Sequence, residues 1–429
     1  MRFTSICFLR GRSLAIMTAM LLAAANAFAS GPSEFVIYQF PDTFAVGATP
    51  NGNLIADRAG NLYGTAQFGG AFNHGTVFEL VKPVPPATAW GAAVLFDFPG
   101  GSGGGSPLGA LTFDNAGNLY GMGGVVFRLS PPTTAGNPWT ETVLHTFQGS
   151  PNDGDGSGIS GVVFDAAGNL YGATMSGGTV IPHNILCQLG CGVVYELSPT
   201  DQGEWTETVI HYFNGGQGAR PAGTPTFDAH GRLYGLTEAG GLHGDGTAYR
   251  LLPPTTQGGA WNFRVIYQFG SSLTDSVNPQ SSLTVHGSGI LYGAAQFGGQ
   301  NGVGTVFALS PPTTTGGAWT ESILHDFASG TDGNQPTGNV IFDHAGNLYG
   351  ATGRGGGNGS GCNGGCGVVY ELTPGTSVWT ETVLHAFPSS SRDASVPNGG
   401  LLLGKNGVLY GAAGTAVPTK RGAIYGIVP

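Results

Sequence analysis

The tripeptide Leu-Tyr-Gly stands at seven places in the chain, centred on Tyr63, Tyr120, Tyr171, Tyr234, Tyr292, Tyr349 and Tyr410, at intervals of 57, 51, 63, 58, 57 and 61 residues. A period of that size means one supersecondary unit used repeatedly, with each copy burying its apolar faces against its neighbours.

Each copy resolves into four short strand-like runs. In the third they are Gly161 to Asp165, Asn169 to Thr174, Gly192 to Leu197 and Trp205 to Phe213; in the sixth, Asn339 to Asp343, Asn347 to Thr352, Gly367 to Leu372 and Trp379 to Phe387. The runs are rich in β-branched and aromatic residues and are separated by Gly, Pro, Asn and Asp, the signature of strands and tight turns. No segment holds a 3.6-residue apolar period, so helix is expected to be nearly absent.

The link between the first two runs is Asp-x-x-Gly at Asp57, Asp114, Asp165, Asp228 and Asp343, with His286 and Gly404 replacing Asp in the fifth and seventh copies. Asp bonds the backbone of such a turn and Gly supplies its left-handed residue, so these carboxylates belong to hairpins rather than to catalysis. All six tryptophans begin a fourth run: Trp90, Trp139, Trp205, Trp261, Trp319 and Trp379. Further along that run His145, His211, His325 and His385 share one position with Tyr38, Phe96 and Tyr267, which reads as a packing site for a flat ring.

Seven four-stranded antiparallel units without helices predict an all-β, seven-bladed β-propeller. The chain ends support this: residues 34–40 read as a fourth strand without a blade, and Ala423 to Val428 as a third strand without a fourth. The N-terminal strand should complete the C-terminal blade and lock the ring. A right-handed solenoid, the competing stack, would not leave complementary ends.

The pattern Phe-Asp-x-x-Gly-Asn-Leu-Tyr-Gly-Ala-Thr-x-x-Gly-Gly followed by Gly-Thr-Val-Phe-Glu-Leu resembles the Gloeo/Verruco (GloVer) tandem repeat of exported bacterial proteins. It is also similar, more loosely, to sensor-type and NHL-type propeller repeats. The resemblance covers nearly all of the chain after its leader and implies an exported propeller. It implies no activity, so no residue inherits a catalytic role.

Residues 1–29 read as a signal peptide: Arg2, Arg10 and Arg12 precede an apolar run from Leu14 to Ala25, which leads to Ala27-Phe28-Ala29. The propeller is then expected over residues 30–429, secreted or periplasmic, monomeric, and with no membrane span. Without the leader, 12 basic residues face 25 acidic ones, a balance that repels nucleic acid. Four cysteines remain, in the pairs Cys187 with Cys191 and Cys362 with Cys366; an exported chain is expected to hold them as disulfides, with metal binding as the alternative.

Strand alternation sends the Asp-x-x-Gly turns to one face of the ring. The long, variable loops go to the other face, where a binding surface is expected. Asp153, Asp275, Asp332 and Asp393 recur there in the loops joining successive units, each four residues before a Pro-equivalent position. Asn152-Asp153-Gly154-Asp155 spaces oxygens as a calcium loop does but lacks the distal Glu; ordinary turn chemistry is the alternative. Arg220 and Arg354 would either hold an acidic ligand or stay solvated. Phe68, Phe72, Tyr212 and Phe297 are candidates for stacking on a sugar, although Phe68 and Phe297 share Gln-Phe-Gly-Gly and are expected to be buried between units.

These readings favour a binding or scaffold propeller for a glycan or protein partner. An enzyme acting on glycans (lyase, glycosidase or lactonase) and a structural envelope protein are the alternatives. No catalytic residue and no cofactor beyond a possible calcium is assigned.

Overall fold

The structure is a computed structural model describing residues 31–429 except 42, 44, 135, 150–159, 183, 257, 288, 315, 358–361, 363–364, 388–394 and 415–420. The leader, Asp153, Asp155 and Asp393 lie outside the described residues. Seven four-stranded antiparallel sheets follow one another, with one extra two-stranded ribbon. Helix among the described residues amounts to two single 3-10 turns, Gly101–Gly103 and Ile185–Cys187. The seventh sheet joins both ends of the chain: Ser33–Gln39 pairs antiparallel with Ala423–Val428, Ser33 facing Val428 and Gln39 facing Ala423.

The glycine of Leu-Tyr-Gly has one purpose in every blade. A Cβ on Gly64 would sit 2.7 Å from Phe78 Cζ, and one on Gly172, Gly235 or Gly350 would sit 2.2–2.3 Å from the hydroxyl of Tyr195, Tyr249 or Tyr370. The bare backbone lets the aromatic ring of the neighbouring third strand lie across it. That ring then meets the last aromatic of the preceding blade edge-on. The pairs are Phe40–Phe78, Phe98–Phe127, Phe147–Tyr195, Phe213–Tyr249, Phe269–Phe307, Phe327–Tyr370 and Phe387–Tyr425, with centroids 5.0–5.3 Å apart. One pair fills each of seven seams, so the ring closes with the same contact throughout. The tyrosine of the tripeptide turns the other way, as Tyr120 does against Phe164 and Trp205 of the next blade.

A second device recurs nearer the axis. Thr49, Ser106, Arg220, Asn278, Gln335 and Val396 are left-handed, with φ of 51–59°, and each precedes a proline. A left-handed residue with a side chain is disfavoured by about 1–2 kcal/mol, so its repetition marks a contact that compensates. In each case the backbone N–H donates to a carbonyl of the preceding blade: Arg421, His74, Cys191, Asp245, Val303 and Cys366 in turn, at 2.6–2.9 Å. The proline then rests where a glycine of that blade leaves room, as Pro221 does on Gly192 and Pro397 on Gly367. Both cysteine pairs are disulfides, Cys187–Cys191 and Cys362–Cys366. Their second cysteines supply two of the six carbonyls, so each bridge fixes the loop that receives the next blade.

The Asp-x-x-Gly turns form as the chemistry requires. One Asp114 oxygen accepts from the N–H of Ala116 and Asn118 at 2.8 and 2.9 Å, and the other from the Asn118 amide and the Tyr120 hydroxyl at 2.6 and 3.1 Å. Burial would raise this carboxyl, but the bonds from Asn118, Tyr120 and Ala116 outweigh it and hold the group below the ordinary carboxylate range. Its stabilisation is therefore present above the unfolded carboxylate pKa and is lost as pH falls through the folded value. Asp114→Ala is expected to destabilise the protein by about 1–3 kcal/mol, read as a lower urea midpoint; an unchanged midpoint would show that the turn stands without its carboxylate.

Candidate functional site

Three places could carry chemistry: the axis, the seams between blades, and the long-loop face. At the axis the first strands approach until backbones touch. A Cβ on Gly109 would lie 2.0 Å from the Ser160 carbonyl oxygen, one on Gly223 2.5 Å from that of Ser281, and one on Gly399 2.4 Å from that of Gly52. The space left is a cavity of about 70 Å³ edged by Asn51, Asn53, Thr224, Gln280, Asn339 and Asn398. Asn53 Nδ2 donates to Asn339 Oδ1 at 2.7 Å, and the Gly400 N–H donates to Asn53 Oδ1 at 2.6 Å, so these amides tie blades one, six and seven together. Among the described residues, no acid, histidine, lysine or arginine lines the cavity. Its volume has room for a few waters and not for a sugar ring, far below the 300–1,000 Å³ typical of ligand pockets.

Among the described residues, two carboxylates of the blade-joining loops, Asp275 and Asp332, are engaged at the seams. Asp275 is buried; it accepts from the Ser271 N–H and hydroxyl at 2.7 Å and from the Tyr267 hydroxyl at 3.1 Å. Asp332 repeats this one blade on, accepting from the Ala328 N–H at 2.5 Å and lying 2.9 Å from His325 Nε2. The next blade adds a glutamate to each seam. Burial, and then the neighbouring Asp275, push Glu321 up to about 8; burial, and then Asp332, push Glu381 up to about 8. Asp332 itself is held below its ordinary range: burial opposes this, and the bonds to His325, Glu381 and the Ala328 N–H prevail. Glu141 lies in a seam whose connecting loop has no aspartate, and burial alone pushes it up to about 7.

The shared ring position thus has two fates. His211 stacks on Phe263 with centroids 3.5 Å apart, and burial lowers it to about 4, as a packed ring requires. His325 instead joins two carboxylates, and the only signals for this in the sequence were the recurring aspartate and the glutamate four residues before each histidine.

On the long-loop face the structure overturns one expectation. Phe68 and Phe297 are 43% and 39% exposed rather than buried between blades. Each is followed by two left-handed glycines, Gly69-Gly70 and Gly298-Gly299, that turn the chain away from the seam, where the aromatic pair and the proline latch already fill the space. Phe72 and Tyr212 are exposed as well, at 59% and 42%. Arg220 is paired, 3.3 Å from the nearly buried Glu238. Arg354 is exposed, its carbonyl accepting from the Thr352 hydroxyl. The face therefore offers separated aromatic rings on glycine-rich loops, held by a rigid ring.

The family described as the Gloeobacter/Verrucomicrobia repeat matches residues 184–425. Among solved structures, a fungal alcohol oxidase with catalytic diversity among the AA5 family, in complex with copper, is similar with a TM-score of 0.51 at 13% identity, over 92% of this chain and 75% of that one. A putative 6-phosphogluconolactonase from Bacteroides uniformis gives 0.45 at 14% identity over 80% and 85% of the two chains. A putative oxidoreductase (glucose dehydrogenase) from Thermus thermophilus gives 0.42 at 14% identity over 92% and 100%. At these identities the likeness concerns the fold alone. No curated protein matches the chain.

Proposed function

The chain belongs to the Gloeobacter/Verrucomicrobia repeat family, and on that footing we propose that it is an exported recognition propeller binding glycans through its long-loop face. The observation that carries this reading is the exposure of Phe68, Phe72, Tyr212 and Phe297 on one face. Aromatic rings held apart on rigid supports suit the apolar faces of sugar rings, and the surrounding glycine-rich backbone suits their hydroxyls. The small, uncharged axial cavity weighs against the glycan-cleaving alternative, whose chemistry needs paired carboxylates or a metal at a substrate-sized site.

Export rests on the basic and apolar leader within residues 1–29, together with two disulfides that suit an oxidising compartment. Among the described residues no helix is long and apolar enough to cross a membrane. Asp153 and Asp155 remain the calcium candidates of the proposal; Asp393 takes the loop position of Asp275 and Asp332. Arg354 would meet an acidic sugar.

Binding of residues 30–429 to a glycan array, with calcium and again with chelator, tests the reading. A glycan bound by the wild type should be held at least tenfold more weakly by Phe72→Ala and by the double change Phe68→Ala, Phe297→Ala. Binding confined to calcium would make Asp153→Asn, Asp155→Asn and Asp332→Asn the next variants, and loss of calcium-dependent binding in the first two would support the Asp153 loop. An array that stays blank in both conditions removes the glycan reading and leaves a protein partner.

A further inference from the structure

We propose that His325, Asp332 and Glu381 form a site for a divalent first-row transition ion such as Zn²⁺, clamped across the seam between blades five and six. The imidazole comes from the outer strand of blade five (Thr320–Asp326), Asp332 from the connecting loop, and Glu381 from the outer strand of blade six (Trp379–Ala386). One donor atom of each lies within 4.8 Å of the other two. Ligands bound at about 2.0–2.2 Å around a tetrahedral ion stand roughly 3.5 Å apart, so a small inward movement brings all three onto one ion.

The contacts of the seam favour a cation. Two carboxylates from different segments face each other, and among the described residues the hydrogen bonds and ion pairs of this group include no lysine or arginine. One Glu381 oxygen is buried without a hydrogen-bond partner, as are the matching oxygens of Glu141 and Glu321, but among the described residues only Glu381 has both an imidazole and a second carboxylate within reach of an ion. A bound ion would take that Glu381 oxygen as a ligand, and ion binding releases to solvent whatever protons its ligands carry.

Sealing the blades does not itself require these residues. The next seam back puts Tyr267 where His325 stands, blade one puts Phe96 there, and His211 seals its seam by stacking on Phe263. Only a ring is needed for packing; a ring nitrogen beside two acids adds the means to bind metal. Access also exists. The His325 and Asp332 side chains are 17% and 20% exposed, and a surface groove of about 430 Å³ lined by His325, Thr274 and Gln300 gives an ion and its remaining waters a way in. Among the described residues this is the one group of three with metal-ligand geometry. The site stands independently of the glycan reading.

The test is Zn²⁺ titration of the purified, chelator-treated protein by calorimetry, with Co²⁺ as a spectroscopic substitute. His325→Phe installs the ring blade one already uses, and Glu381→Gln keeps the shape of the side chain. Each should remove one equivalent of bound ion or weaken it at least tenfold, while Tyr267→Phe in the neighbouring seam leaves binding unchanged. Site variants that fold and bind like the wild type overturn the assignment. Should His325→Phe fail to fold, the Co²⁺ complex of the wild type decides: paramagnetically shifted imidazole resonances support the site, and their absence overturns it.

Discussion

Deleting residues 31–40 should open the ring, with a stability loss on the order of 5–10 kcal/mol. That strand places Ile37 and Phe40 in the core, each contributing about 1.5–3 kcal/mol by burial. It also bonds along the whole edge of Ala423–Val428, where each hydrogen bond adds about 0.5–1.5 kcal/mol. Without it, Phe78 loses its partner in the first seam and blade seven presents an unpaired apolar edge, a template for association with other chains. The shortened protein should be cut rapidly by protease, elute as oligomers, and regain a monomeric ring when a peptide of residues 31–41 is added. A shortened protein with the wild-type urea midpoint would mean that the seventh blade stands on three strands.

Gly109→Ala should be strongly destabilising, through a single methyl placed against backbone. Its Cβ would lie 2.0 Å from the Ser160 carbonyl oxygen and 2.5 Å from the Ser160 carbonyl carbon. Both partners are backbone in the segments leading into Thr112–Phe113 and Val163–Phe164, and backbone cannot swing aside as a side-chain tip can. The first strands of blades two and three must therefore separate, and every seam shares the displacement. A loss of about 3 kcal/mol or more is expected, at the upper end for overpacking. Gly216→Ala is the matched control: its nearest neighbour is an Asn214 side-chain oxygen at 3.8 Å, and its urea midpoint should stay within about 0.5 kcal/mol of the wild type. Equal behaviour of the two variants would refute close approach at the axis.

What was legible from the residues depended on whether a side chain or a backbone carried the feature. Leu-Tyr-Gly and the complementary ends announced seven blades and their closure, because aromatic, β-branched and glycine positions repeat visibly. The paired cysteines were legible for the same reason. The left-handed latch was not: Thr49, Ser106, Arg220, Asn278, Gln335 and Val396 share no side-chain property, only a backbone conformation before proline. Phe68 and Phe297 were misjudged because their motif recurs like a core motif, although other groups already fill the seam beside them. The His325 group stayed hidden because its members come from two blades and the loop between them, and only the packing of blade six on blade five brings Glu381 to the other two.

Pairing the first strand with the last also orders events in time. Glu34 faces Ile427, so the N-terminal strand must wait, unpaired, until Ala423–Val428 has been made. Blades one to six can stack as they emerge, each on its predecessor, but the two outer edges of that stack stay raw throughout synthesis. Completion is a single late event at the seventh blade. A lesion in the final six-residue strand should therefore leave the same open arc as loss of the first.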